Sequence, residues 1–562
     1  MLREMPQTVH FMNGDMMKLV EYNKGFEWKE KGYVLPAYDR DALRKKTAEE
    51  PTWIHFGAGN IFRAFPAAVL ESMLNEGTYD RGVIVSEGFD IEIIDKAYAP
   101  YDSLSLLVVL KADGSIDKRV IGSVTESLKA DVNAEADWNR LKEIFVKPSL
   151  QMVSFTITEK GYSVIGPDGQ PHAFVKKDLD EKGLLPDNIM GKICTLLYER
   201  FKNGATPVAM VSMDNCSHNG DKLKAAVLFF AEQWLAKGLV EPEFLAYLKD
   251  ESRVSFPWSM IDKITPRPDE TVRKMLSEDG FEDTELIITS RNTYTAPFVN
   301  AEETEYLVIE DSFPNGRPPM EKGGILFTKR EVVDQVEKMK VCTCLNPLHT
   351  ALAIYGCLLG YELISEEMKD DELRTLITRV AYEEAMPVVV NPGIIKPEDF
   401  LNAVLTQRLP NPFMPDAPQR IATDTSQKLP IRYGETIKAY LAGAFADEAV
   451  KNSPDKPVVT DLKLIPLVLA GYARYLMGVN DNGDRFEPSS DPRLEELMAV
   501  MADVKLGQTE VPKKALETIY RDKEIFATDL YEAGIGTTIE NYFMELIAGP
   551  GAIRATLKKY TK

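Results

Sequence analysis

Three polar side chains, Lys340, Asn346 and His349, stand inside an otherwise apolar run of helical length, EVVDQVEKMKVCTCLNPLHTALAIYGCLLGY (331–361). Burying an ammonium or an amide without partners is costly, so such a cluster is either paired or functional. Asn346 and His349 are three residues apart and share one helical face. Lys340 lies just upstream, at or before the first turn. A lysine, an asparagine and a histidine that converge on one hydroxyl supply a base, an oxyanion donor and a positioning group, the parts needed to oxidise an alcohol. The same run also reads as a core helix with a satisfied histidine, and the segment alone leaves both readings open.

The rest of the chain must position these groups. At 562 residues it calls for about two to four domains. With 44% apolar and 27% charged residues it reads as soluble and globular. A net charge of -21 and a pI near 4.9 argue against nucleic acid or an anionic membrane as partner. They leave an anionic small substrate open, because a local basic pocket overrides the global field. No run of about 18 uncharged apolar residues occurs, and the first thirty residues lack the apolar core and cleavage site of a signal peptide. The expectation is a cytoplasmic protein, monomeric or a small homo-oligomer. The five cysteines (Cys194, Cys216, Cys342, Cys344, Cys357) are odd in number and read as reduced, buried thiols. Cys342-Thr343-Cys344 has the spacing of neither a zinc knuckle nor a redox pair, and no His/Cys cluster marks a metal site.

Residues 1–48 are polar and read as an irregular N-terminal extension. From Thr52 short apolar strands alternate with amphipathic helices, the pattern of a mostly parallel α/β sheet. Strands are expected over 52–56, 82–86, 151–158 and 207–213, with helices over 64–75, 187–204 and from about Gly220. Two β-rich runs, SLSLLVVLKADG and KRVIGSVTESL, flank a hairpin turn at Ala112-Asp113-Gly114. Beyond about residue 300 the strand signals fade. Segments 331–361, 368–385, 430–445, 462–478, 492–506 and 511–523 have helical length and period. The division expected is 1–48 extension, 49–299 nucleotide-binding domain and 300–562 helical domain.

His55-Phe56-Gly57-Ala58-Gly59-Asn60-Ile61-Phe62-Arg63 follows the first strand and opens the first helix. Gly57 and Gly59 permit a tight turn and close backbone approach to a pyrophosphate seated on the helix N-terminus. Arg63 replaces the usual third glycine and reads either as a charge for a phosphate or as a side chain reaching solvent. Glu87, ending the second strand with Asp90 close behind, is placed to accept from ribose hydroxyls and repel a 2′-phosphate, which favours NAD over NADP.

Taken together, these segments resemble the mannitol dehydrogenase family, the polyol-specific long-chain dehydrogenases that include fructuronate and tagaturonate reductases. The resemblance rests on HFGAGNIFRAF (55–65), TITEKGY (156–162), SMDNCSHNG (212–220), SFPWSMIDKITP (255–266), YLVIEDSFPNGRP (306–318), KVCTCLNPLHTA (340–351) and RIATDTSQKLP (420–430), in the family's order. It implies an α/β fold with an N-terminal Rossmann-type dinucleotide-binding domain, a mostly α-helical C-terminal domain and an active site in the cleft between them. It implies metal-independent hydride transfer between a polyol or aldonate and NAD. By the same resemblance Lys340 is the general base, and Asn215 and Asn346 hold the oxyanion. His349, Asp262, Arg420 and Lys428 line the substrate pocket, Glu337 relays the proton, and Gly57, Gly59, Asn60, Ile61, Arg63, Glu87, Thr158 and Glu159 bind the cofactor. Asn215 also reads as a helix cap, and Arg420 and Lys428 as helix-end charges.

Departures from the family pattern bear on the substrate. Five residues, Val341–Leu345, separate Lys340 from Asn346 where the family has four. One extra residue turns a helix by about 100°, so a loop or bulge must absorb it. Pro347 follows Asn346 directly, Trp258 stands where Asn is common, and Lys263 where Arg is common. The leading expectation is interconversion of D-mannonate and D-fructuronate, with Arg420, Lys428 and Lys263 as cations for a carboxylate; mannitol 2-dehydrogenase is the alternative. A nucleotide-binding sensor without catalysis is the reading from another class, supported only by the inserted residue.

Overall fold

The computed structural model describes residues 17–24 and 27–562; the rest of the N-terminal extension lies outside the described residues. Two compact units emerge. The first comprises the described residues through Leu110 together with Ile116–Phe327, and the second Lys111–Ser115 with Thr328–Lys562.

A six-stranded sheet organises the first unit: β1 (Trp53–Phe56), β2 (Val83–Glu87), β3 (Val124–Lys129), β4 (Met152–Phe155), β5 (Val208–Ser212) and β6 (Val254–Ser255). Every pairing is parallel and the order is 3-2-1-4-5-6. This is the doubly wound order in which ligands bind at the carboxyl ends of the strands, where the order reverses beside β1. β1, β2, β4, β5 and β6 are buried along their whole length because both faces are covered, while β3 at the sheet edge is only partly buried. Ile54, Ile84, Val153 and Met210 pack into one core with the helix Ile189–Lys202, while Trp53, Val85, Met152 and Val211 pack into another with the helix Pro66–Asn75. The α/β expectation is borne out.

Three local expectations need correction. The run KRVIGSVTESL is split at Gly122-Ser123: Ile116–Ile121 forms a hairpin with Ser105–Leu110 in a second sheet, and Val124–Lys129 joins the first. Strands also continue past residue 300. Phe298–Glu302 pairs with Ser105–Leu110, and Tyr306–Glu310 pairs antiparallel with Ser259–Asp262, so the first unit runs on to Phe327. The extension is not irregular where it is described. Asp39 caps a helix, Arg40–Glu49, and the buried Arg40 guanidinium donates to the carbonyls of Gly122 and Val124, both at 3.1 Å. Local charge concealed this helix; long-range hydrogen bonds hold it.

The second unit is helical. Its central stretch is built from the helix Arg330–Met339, a π-helical turn Lys340–Cys344 and the helix Asn346–Leu359. Its most apolar 18-residue window is 83% buried, the mark of a core helix. All five cysteines are free thiols, and burial pushes Cys342 and Cys344 up to about 12.

Behind that stretch sits Glu367. It is fully buried, and neither carboxyl oxygen has a hydrogen-bond partner among the described residues. Gly356 makes room for it, since a Cβ there would collide with the carboxyl. Burial, with the charge of Asp370 adding to it, drives the Glu367 pKa well above the usual range. The folded chain therefore keeps a proton that the unfolded chain releases, and stability falls as pH rises above the unfolded carboxyl value of about 4.3. Glu367→Gln removes that dependence. Chemical denaturation should show the variant gaining on the wild type by up to about 1.4 kcal/mol per pH unit in that window; an offset constant from pH 5 to 8 would show the carboxyl ionised in the fold.

Candidate functional site

The first unit carries the expected cofactor residues at the carboxyl ends of β1, β2 and β4. Gly57 follows β1 with φ +110°, and a Cβ there would collide with the Thr156 backbone that leaves β4. Gly59 is different: nothing lies within 4 Å of where its Cβ would stand. It begins the helix Asn60–Ala64, whose N-terminus has no side-chain cap. Open space beside uncapped backbone N–H groups suits a pyrophosphate, and Asn60 and Ile61 are the first helical residues there.

Glu87 makes contacts that the sequence did not disclose. One carboxylate oxygen accepts from the Ala58 N–H at 2.8 Å, and the other accepts from Phe89 and Asp90 at 2.8 and 3.1 Å. The carboxylate thus pins the glycine loop to the end of β2. The solvent reading of Arg63 is corrected: its side chain does not reach the surface. Its guanidinium is fully buried and donates to Ala296 O (2.7 Å), Asn60 Oδ1 (2.8 Å) and Thr295 Oγ1 (2.7 Å), so it braces the loop from within.

Thr158 and Glu159 follow β4. Thr158 has φ 64° and ψ 160°, a region occupied almost entirely by glycine. Asp214, which the sequence did not single out, holds it there. Its buried carboxylate accepts from Ile157 N–H (3.0 Å), Thr158 N–H (2.8 Å) and Tyr162 OH (2.5 Å). Burial raises the Asp214 pKa against these three hydrogen bonds. Glu159 is exposed and ion-paired to Lys222. Asn215 is exposed on the next turn, one residue after Asp214, and the helix that follows is entered through His218 with no side-chain cap. The cap reading for Asn215 is therefore corrected. Asn219 is the hidden linker: its amide donates to Ser212 O, Asp214 O and Ser259 O at 3.0–3.2 Å and so ties the turn to the strand that ends at the buried Asp262. Lys263 is corrected as a carboxylate receptor, being committed to Glu305 at 2.7 Å and Glu302 O at 2.9 Å.

Lys340, Asn346 and His349 lie on one helical stretch of the second unit, with a π-helical turn between Lys340 and Asn346. Leu345 N–H donates to Lys340 O at 3.1 Å, five residues back, so the turn absorbs the inserted residue without breaking the helix. Register is decided by burial: Lys340 is 4% exposed, whereas the Lys338 side chain is 57% exposed and paired with Asp334 at 2.9 Å. Pro347 falls in the first turn of the next helix, where no backbone hydrogen bond is lost.

Asp416, also missed in the sequence, links two of the predicted substrate residues. His349 Nε2 lies 3.6 Å from one of its oxygens, and Arg420 forms an ion pair with the other. Burial pushes the Asp416 carboxyl up, but His349 and Arg420 outweigh it and hold it below the usual carboxylate range. Lys428 donates to the carbonyls of Ile421 (3.1 Å) and Thr423, and burial, then Arg432, lowers its pKa. Among the described residues no group of three or more His, Cys, Asp or Glu side chains is arranged to hold a metal ion.

Comparison with known proteins agrees with both units. Residues 51–322 match the Mannitol dehydrogenase Rossmann domain and residues 332–542 the Mannitol dehydrogenase C-terminal domain. A D-mannonate oxidoreductase of Thermotoga maritima is 51% identical over 534 residues, 95% of this chain and 96% of that protein. Among solved structures, a substrate-free D-sorbitol dehydrogenase is 25% identical with a TM-score of 0.74, covering 93% of this chain and 97% of its own. Mannitol 2-dehydrogenase of Pseudomonas fluorescens, in ternary complex with NAD and D-mannitol, is 26% identical with a TM-score of 0.63, covering 94% and 96%. With its Rossmann sheet and its helical half both matched, the chain belongs to the mannitol dehydrogenase family.

Proposed function

We propose that this protein is an NAD-dependent oxidoreductase that interconverts D-mannonate and D-fructuronate, with Lys340 as general base. The observation that carries the chemistry is the buried Lys340, which opens the π-helical turn and is followed on the same helical stretch by Asn346 and His349. The substrate is taken from the Thermotoga maritima relative, a D-mannonate oxidoreductase similar along nearly the whole chain.

In the oxidative direction Lys340 Nζ takes the proton of the reacting hydroxyl, while the amide of Asn346 donates to the oxygen as negative charge develops on it. His349, oriented by Asp416, fixes a neighbouring hydroxyl, with Arg420 and Lys428 of the same unit as further substrate contacts. Glu337 carries the proton outward. NAD, when bound, would supply the hydride acceptor. Gly57, Gly59, Asn60 and Ile61 would seat its pyrophosphate, Glu87 would receive the adenosine ribose, and Thr158 and Glu159 would complete the cofactor site. No step calls for a metal.

Lys340→Ala should lower kcat by about 10²–10⁴-fold with NADH binding nearly unchanged. Lys338→Ala is the register control and should be close to wild type. The opposite ranking of the two variants would move the base by two residues. Glu87→Gln drops the charge and keeps an acceptor for the Ala58 N–H, at the cost of the bonds from Phe89 and Asp90, so it should narrow the preference for NADH over NADPH. A ratio of kcat/KM values unmoved by this change would take cofactor selection away from Glu87.

A further inference from the structure

The cations that the sequence offers for a substrate carboxylate are mostly spoken for. Lys263 holds Glu305, Arg420 holds Asp416, and Lys428 donates to two backbone carbonyls. Arg432, which the sequence did not single out, stands apart. It sits on the π-helical turn Pro430–Gly434, and its guanidinium is half-buried with one hydrogen bond, Nη1 to Thr350 Oγ1 at 2.5 Å. No carboxylate of the described residues pairs with it, and none contributes to its electrostatics. Burial, opposed by Tyr433, draws its pKa down to about 10. An enclosed guanidinium without an anion is an expensive thing to keep, and a planar fork with free N–H groups is shaped for a carboxylate.

Its position is specific. Thr350 follows His349 in the chain, and its hydroxyl donates to Asn346 O at 3.0 Å while accepting from Arg432. Tyr433 OH donates to Pro347 O at 2.6 Å and locks the same turn to the same helix. Arg432 is thus fixed to the turn that presents Asn346 and His349. Lys428, one helical turn earlier, is close enough for the two positive charges to depress its own pKa. Two like charges held together gain most from an anion that both can meet.

We propose that Arg432, seconded by Lys428, receives the carboxylate of the sugar acid and so separates aldonates and ketouronates from neutral polyols and ketoses. The assignment rests on the D-mannonate reading above. Its test compares D-fructuronate with D-fructose, and D-mannonate with D-mannitol, for wild type, Arg432→Gln and Arg432→Lys. Arg432→Gln should raise KM for the acids at least about tenfold, the loss of a charged hydrogen bond, with much smaller change for the neutral sugars. Arg432→Lys keeps the charge without the fork and should recover part of the loss. Thermal shift supplies a readout independent of turnover: D-mannonate should raise the melting temperature of the wild type but not of Arg432→Gln. If the wild type favours the acids and Arg432→Gln weakens acids and neutral sugars equally, or neither, the assignment of Arg432 is overturned while the substrate reading stands. A wild type that favours the neutral sugars overturns both.

Discussion

One hydrogen bond with the wrong spacing, from Leu345 N–H back to Lys340 O, is the constraint on which the helical unit's chemistry depends. An α-helix carried unbroken from Arg330 would rotate every residue after the insertion by about 100° relative to those before it. Lys340 and His349 would then face different directions, and one of two polar side chains would be driven into apolar packing. The five-residue turn takes up the extra residue while keeping the backbone hydrogen-bonded. The apolar residues on both sides, Val333, Val336 and Met339 before it and Leu348, Leu352 and Tyr355 after it, remain buried. Pro347 supports the arrangement, because a helix that restarts at Asn346 has no use for the N–H that proline lacks.

The nucleotide-binding unit solves a comparable problem with buried carboxylates. Glu87 and Asp214 each gather three hydrogen-bond donors, and in each case backbone N–H groups of a loop at the carboxyl end of the sheet are among them. Such loops have few apolar contacts of their own. Charge-assisted hydrogen bonds give them a single conformation, including the strained one at Thr158. Arg63 does the same for the glycine loop from the opposite side, which is why an arginine stands where a glycine is usual.

Several residues with evident chemistry in the sequence turn out to serve structure, and several silent ones turn out to serve the site. Arg63 and Lys263 belong to the first group. Asp416 belongs to the second: it is one aspartate in a loop rich in proline, and nothing in NPFMPDAPQRI marks it. Its importance comes from lying between His349 and Arg420, which are 71 residues apart in the chain (420 minus 349). Asn219 and Arg432 are legible only in the same way, through the partners they have or lack.

The sequence by itself determined the α/β and helical halves, the glycine loop after β1, the acidic end of β2 and the helix that carries Asn346 and His349. These follow from local signals: apolar period, turn residues and the order of motifs along the chain. Only the tertiary structure decided which of Lys338 and Lys340 is buried, how five intervening residues are accommodated, which cations are already paired, and that strands past residue 300 return to the first unit. Those are questions of burial and of hydrogen-bond partners distant in sequence. A chain read one window at a time carries periodicity, but it does not say which polar group meets which.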